Sequence, residues 1–215
     1  MVQPLLAVEH SLLAVRGAWA CNSPLVLDLD GNGIINTTDA WSEPVLFDID
    51  ADGLVESTGW PSPYTSEGLL AIDLNHNGLI DSGRELFGDS MFLPTGETAR
   101  HGFEALAPYD QPEMGGNGDG LIDQFDLVWH HLRIWLDENL DGTSQRKEVR
   151  PLSAWGIVGL SLLYETTPRV DGNLNVHQFA GTYLKRFNGR NGQFEIRPML
   201  MEDIFFRVSQ DPVPD

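Results

Sequence analysis

Five times between Asp28 and Glu148 the chain sets Asp or Asn at alternate positions and ends the run with glycine, as in D-E-N-L-D-G at 137–142. The fullest copy, Asp137 to Glu148, offers side-chain oxygens at positions one (Asp137), three (Asn139) and five (Asp141). Gly142 follows at six, a backbone carbonyl at seven (Thr143) and a closing carboxylate at twelve (Glu148). That is the ligand order of an EF-hand calcium loop. A hard cation wants six to eight oxygens at once, so the chain must wrap around it, and the glycine permits the backbone angle of the wrap. One such run alone could be a solvated Asp/Asn/Gly turn. Five in register argue for metal.

The other copies differ in how they close. From Asp28 the pattern gives Asp28, Asp30 and Asn32, then Gly33, the Ile34 carbonyl, apolar Ile35, Asn36 at nine and Asp39 at twelve. The shorter reach of aspartate at twelve predicts weaker binding. From Asp48 it gives Asp48, Asp50, Asp52, Gly53, the Leu54 carbonyl, Val55 and Glu56, but position twelve is Gly59, so Glu56 or a residue from elsewhere must complete the shell. From Asp73 it gives Asp73, Asn75, Asn77, Gly78, the Leu79 carbonyl, Ile80 and Asp81. Arg84 stands at twelve and Glu85 one residue later, which a bulge at Gly83 can bring back. The copy at 115–126 keeps Asn117, Asp119, Gly120, the Leu121 carbonyl, Ile122, Asp123 and Asp126, but begins on Gly115; Asp110 is favoured over Glu113 to supply the missing oxygen, with the intervening residues looped out.

Charge narrows the partners. A balance of 32 acidic against 13 basic side chains, −19 in all, disfavours nucleic acid or an anionic membrane surface. Its natural counterpart is several cations, up to about five calcium ions by the loop count. One cysteine, Cys21, excludes an internal disulfide framework and a Cys-based zinc site. No apolar run is long enough for a transmembrane helix. Residues 1–20 read as a leader or disordered N-terminus, interrupted by Glu9, His10 and Arg16, and Cys21 is a candidate lipidation site.

Strand-like runs such as Leu25–Leu27 and Val45–Phe47 lead into the first loops. Phe125, Val128, Trp129, Leu132, Trp135 and Leu136 recur at three- and four-residue spacing and predict an amphipathic helix tying the fourth loop to the fifth. Beyond Glu148, alternating apolar runs separated by turns at Asp171–Gly172–Asn173 and 188–192 predict strands. The expected fold is α+β: a single domain, 21–208, built around serial EF-hand-like calcium loops with short strands, one central helix and a mostly β C-terminal third, followed by a tail at 209–215.

The runs P-L-V-L-D-L-D-G-N-G-I, F-D-I-D-A-D-G-L-V-E-S-T-G-W, I-D-L-N-H-N-G-L-I-D-S-G-R-E-L-F-G-D, N-G-D-G-L-I-D and L-R-I-W-L-D-E-N-L-D-G together resemble the calcium-dependent self-processing modules of secreted bacterial repeats-in-toxin proteins. The resemblance covers about Pro24 to Val208. It implies an extracellular or cell-surface setting and a domain that folds on binding calcium. It also implies, in members that cleave themselves, an Asp-Pro bond just before the first calcium strand, whose carboxylate attacks its own carbonyl to give an anhydride. Here Ser23-Pro24 occupies that place, and the sole Asp-Pro, Asp211-Pro212, lies in the tail. A calcium-binding module with a structural or interaction role, its protein or cell-surface partner unspecified, is therefore favoured over a self-cleaving one. No Ser/His/Asp, phosphate-loop or zinc motif suggests another enzyme. A cytosolic calcium sensor would need helices flanking the loops, where the sequence offers strands.

Overall fold

A computed structural model describes residues 21–189 and 193–209. Residues 1–20, expected to be a leader or a disordered N-terminus, and most of the tail, with Asp211-Pro212, lie outside the described residues, as does any account of the Cys21 side chain.

The central strands are apolar at consecutive positions because both of their faces are covered. In β2 (Leu25–Asp28), Leu25 and Leu27 enter one core and Val26 the other. In β5 (Glu67–Ile72), Leu70 and Ile72 face the first core, Leu69 and Ala71 the second. With β1 (Cys21–Asn22), β6 (Leu121–Ile122), β7 (Leu132–Trp135), β8 (Val149–Pro151), β9 (Ile157–Val170), β10 (Val176–Asn188) and β11 (Phe194–Arg207) they form a nine-stranded sheet. Its order is β6-β9-β10-β11-β2-β5-β7-β8, with β1 added along β11. The pairings are antiparallel. A small hairpin of β3 (Val45–Phe47) and β4 (Glu56–Thr58) stands apart from it. The second core is an aromatic cluster in which Phe47, Trp60 and Trp135 hold ring centroids 5.2 to 5.4 Å apart, with Phe206 at 6.1 Å from Trp60.

This architecture corrects the α+β expectation: the chain is mostly β. The one α-helix among the described residues, α1, is the five-residue Gly102–Leu106. The central helix expected over 125–136 does not form. Phe125 and Leu127 are 68% and 70% exposed, and Leu132–Trp135 is a strand between β5 and β8. The reason lies one residue earlier. Asp126 is extended and buried, with both carboxylate oxygens accepting backbone N–H groups, from Asn117 and Asp123. A helix therefore cannot start before Leu127, and only a 3-10 turn, Leu127–His130, fits before the strand. The three-to-four spacing coincided with a strand that is apolar on both faces. None of the five loops is flanked by helices on both sides, so the EF-hand-like helical setting is not present. The fourth follows α1 and a 3-10 turn at Ala107–Asp110; elsewhere the neighbours are strands and single 3-10 turns.

Long free edges invite pairing with other chains, and prolines guard two of them here. Pro198 lies in the part of β11 that β2, which pairs only with Met201 to Asp203, leaves uncovered. Pro168 falls in β9 at the register shift opposite β10, beyond the reach of β6.

Candidate metal centres

Each acidic run folds into the same tight turn, and the hydrogen bonds show why the sequence spacing matters. The position-one carboxylate accepts the N–H of the position-six glycine in every loop: Asp28 from Gly33 at 2.7 Å, Asp48 from Gly53 at 3.2 Å, Asp73 from Gly78 at 2.9 Å, Asp110 from Gly120 at 3.0 Å and Asp137 from Gly142 at 3.1 Å. These five glycines have φ between +66° and +94°, the left-handed region that L side chains rarely adopt. Position five likewise accepts the N–H of position seven: Asn32 from Ile34, Asp52 from Leu54, Asn77 from Leu79, Asp119 from Leu121 and Asp141 from Thr143, all at 2.8 or 2.9 Å. Position three accepts the N–H of position five in four loops, through Asp30, Asp50, Asn75 and Asn117. In the fifth, Asn139 instead donates its amide to Asp141.

The loops close by a shared device. The N–H at position nine donates to one buried carboxylate: Asp81 N–H to Glu85 at 2.8 Å, Asp123 N–H to Asp126 at 2.7 Å and Gln145 N–H to Glu148 at 3.3 Å. Glu85 also takes the N–H groups of Leu74 and Asn75, and Asp126 that of Asn117. Asp110 reaches its loop from the end of a 3-10 turn and occupies the place that Gly115 leaves empty. In the second loop Glu56 is itself residue nine and accepts Ile49 N–H at 3.1 Å, the position-two donor that Leu74 is for Glu85. Ligand atoms of Asp48, Asp50, Asp52 and Glu56 lie within 4.8 Å of one another, close enough to hold one ion.

Asp39 bonds forward, to the turn that follows its loop. Its carboxylate is occupied by Trp41 N–H, Ser42 N–H and the Ser42 hydroxyl, and these bonds, that hydroxyl first, hold its pKa below the ordinary value. Asn36, residue nine of the first loop, donates its backbone N–H to Glu67 at 3.1 Å and its side-chain amide to the same oxygen at 3.2 Å. Glu67 belongs to β5 and was not marked by the spacing. The signal was present in part: a glutamate opening an otherwise apolar strand, E-G-L-L-A-I.

Three loops touch. Gly83 N–H donates to Asp48 C=O at 2.8 Å, and a Cβ on Gly83 would sit 1.8 Å from the Ile49 carbonyl oxygen, so only glycine lets the third loop lie on the second. Ile80 N–H donates to Ser144 Oγ at 2.6 Å, linking the third loop to the fifth at residue eight of each. The fifth loop is thus coupled to the third, not to the fourth through a helix. Ile35, Ile49 and Ile80 join the aromatic core with Leu140 beside it, whereas Ile122 of the fourth loop packs in the other core. His76, His130 and His131 are exposed.

The donor set fits a hard divalent cation: oxygens only, several of them buried with nothing to bind. Asp73 Oδ1 and Asp137 Oδ1 are shielded from water and accept no hydrogen bond, and Glu148 Oε1 meets only Lys147 Nζ, at 3.4 Å. Burial raises the pKa of Asp50, Asp126, Asp137 and Glu148 above their ordinary values. Burial, helped by Asp50, Asp48 and Asp52, pushes Glu56 from 4.5 to about 7. Such groups disfavour the metal-free fold once ionised.

Away from the loops, buried His177 is clamped between Glu202 at 2.7 Å and Asp171 at 3.2 Å, with Arg169 also on Glu202 and the Thr37 hydroxyl on Asp171. Burial opposes a charge on His177, but the two carboxylates outweigh it and hold its pKa above 6.5. Both effects have one sign in metal-free protein. A raised carboxylate makes the fold bind more protons than the unfolded chain, so for Glu56 stability falls as pH rises from about 4.5 to 7. The His177 contribution is complete below its unfolded value and is lost as pH climbs through the folded one. Thermal melts in EDTA therefore give a lower midpoint at pH 8 than at pH 5, and saturating calcium reverses the carboxylate part; a midpoint in EDTA that rises over this range would contradict the assignment.

A profile of the SPM domain matches residues 25–196, most of the chain and all five loops. The chain belongs to the SPM domain family. The iron-regulated protein FrpA of Neisseria meningitidis serogroup C is 42% identical to this SPM domain over 169 residues, covering 79% of the chain. The chain spans 14% of that relative's length. At the domain's N-terminal border, Ser23 is buried, its N–H donates to Asp89 at 2.8 Å and its carbonyl accepts Asp89 N–H at 3.1 Å. A serine hydroxyl there carries no carboxylate from which to form an anhydride with its own carbonyl.

Proposed function

We propose that residues 21–208 form a calcium-binding module, stabilised by up to about five calcium ions, within an exported or cell-surface bacterial protein. The observation that supports it is the hydrogen-bond scheme repeated in five loops, one of which gathers the carboxylates of Asp48, Asp50, Asp52 and Glu56 within 4.8 Å, together with the buried oxygens of Asp73, Asp137 and Glu148 that accept no hydrogen bond. The resemblance to an iron-regulated protein supports the exported setting. The ions act as cross-links: each neutralises several carboxylates and ties a loop to the core residue beside it. The ligands are Asp48, Asp50, Asp52, the Leu54 carbonyl and Glu56; Asp73, Asn75, Asn77, the Leu79 carbonyl, Asp81 and Glu85; Asp110, Asn117, Asp119, the Leu121 carbonyl, Asp123 and Asp126; Asp137, Asn139, Asp141, the Thr143 carbonyl and Glu148; and, in the first loop, Asp28, Asp30, Asn32, the Ile34 carbonyl and Asn36.

Equilibrium dialysis against calcium and magnesium tests this. Calcium is expected to bind at several sites per chain and to outcompete magnesium, which demands a smaller octahedral shell and keeps its waters. No calcium uptake at millimolar concentration would sink the reading. Within it, Glu148→Gln removes one of the charges on the fifth ion and is expected to weaken that site roughly tenfold or more, with a smaller loss at the third loop through the Ile80–Ser144 bond. Tryptophan fluorescence during a calcium titration reads both.

A further inference from the structure

Two carboxylates face each other across the middle of the sheet. Asp28, the last residue of β2, is directly paired with Glu67, the first residue of β5, and each is 1% exposed. Directly opposed residues of an antiparallel pair put their side chains on one face about 5 Å apart, and like charges there are destabilising. The groups that could balance them are few. Lys185 lies close enough to Asp28 and Asp30 to feel their charge, but its Nζ donates to the Leu29 carbonyl at 2.6 Å, and the Tyr183 hydroxyl donates to the Asp28 carbonyl at 2.5 Å. One lysine against Asp28, Asp30 and Glu67 leaves two negative charges, the complement of one divalent ion. Glu67 Oε2 is buried and accepts no hydrogen bond of acceptable geometry, the nearby Thr65 hydroxyl included.

We infer that the first ion is closed by Glu67 from β5 and not by Asp39, making this a cation site assembled from two strands that staples β2 to β5. The inference rests on the calcium reading above. It is carried by what the loop does at residue nine. In three other loops the residue-nine N–H donates to the closing carboxylate, and in the first loop that N–H, on Asn36, goes to Glu67. Asp39 is tied up in its own turn with Trp41 and Ser42. The consequence is a long-range one. The other loops close on residues within or just beyond their own turn, whereas this ion joins two central strands that also pair with β11 and β7.

Native mass spectrometry and equilibrium dialysis with calcium, on the wild-type chain, Glu67→Gln and Asp39→Asn, decide it. Expected is one calcium fewer per chain in Glu67→Gln and an unchanged count in Asp39→Asn, together with faster hydrogen exchange of the β2 and β5 amides in the first variant alone. An unchanged count in Glu67→Gln, or the loss of one ion in Asp39→Asn, overturns the inference while leaving the calcium reading intact; a wild-type chain that binds none overturns the calcium reading itself. Should Glu67→Gln not fold, as judged by near-ultraviolet circular dichroism of the tryptophans, Glu67→Asp keeps the charge and shortens the reach. One site should then weaken roughly tenfold or more, and full affinity at every site would refute the assignment.

Discussion

Chelation of divalent cations at neutral pH is expected to unfold much of the chain, or to lower its thermal midpoint by tens of degrees, with recovery on adding millimolar calcium. Each ion held at ten times its dissociation constant stabilises the fold by about 1.4 kcal/mol. Five such ions would supply roughly 7 kcal/mol, against a net stability of about 5 to 15 kcal/mol for an ordinary domain. Glu67, Asp137 and Glu148 are nearly inaccessible to water, and burial holds the pKa of each above its ordinary value, so that keeping them ionised without a cation is unfavourable. Five calcium ions would bring the formal charge from −19 to about −9. Circular dichroism with and without EDTA reads the result. An identical spectrum and midpoint in the two conditions would remove calcium from the account of this fold.

Trp135→Ala is expected to destabilise the calcium-loaded protein by about 3 to 5 kcal/mol, the range for deleting a large aromatic from a close-packed core. Trp135 is fully buried on β7, packed against Phe47 and Trp60, and it pairs in the sheet with Leu69 and Val149. The effect should also be selective. Apolar residues of the first, second, third and fifth loops pack on or against that aromatic core, and the fourth loop rests on the opposite one. Calcium affinity in Trp135→Ala therefore falls at the former four and holds better at the loop of Asp110 and Asp126. Urea unfolding in excess calcium gives the first number, and a site-resolved calcium titration by NMR gives the second. An equal loss at all five loops would mean that the two cores are not separate supports.

How far the sequence carried these conclusions can be judged loop by loop. The turn chemistry was legible because it is local. A carboxylate at one, a glycine at six and an oxygen at five that accepts the N–H at seven are all within reach along the chain, so spacing specifies them. The strands of the last third were legible for the same reason, since alternation and turn residues are short-range signals. The helix over 125–136 was misread because the period of Leu132, Trp135 and Leu136 records burial without saying whether one face or two is covered. Once β7 is placed between β5 and β8 with a core on either side, an unbroken apolar run is what a strand requires.

By itself the sequence determined the shape of most of the oxygen-bearing turns: the spacing of Asp, Asn and Gly fixes them through hydrogen bonds that span a few residues. Only the tertiary structure decided how the turns are closed and held together. The partner of Asp28 lies on another strand, the third loop meets the second and fifth through Gly83 and Ile80, and the aromatic core supports four loops out of five. These contacts depend on strand order and register, which arise from burying both faces of one sheet, and no local spacing encodes them.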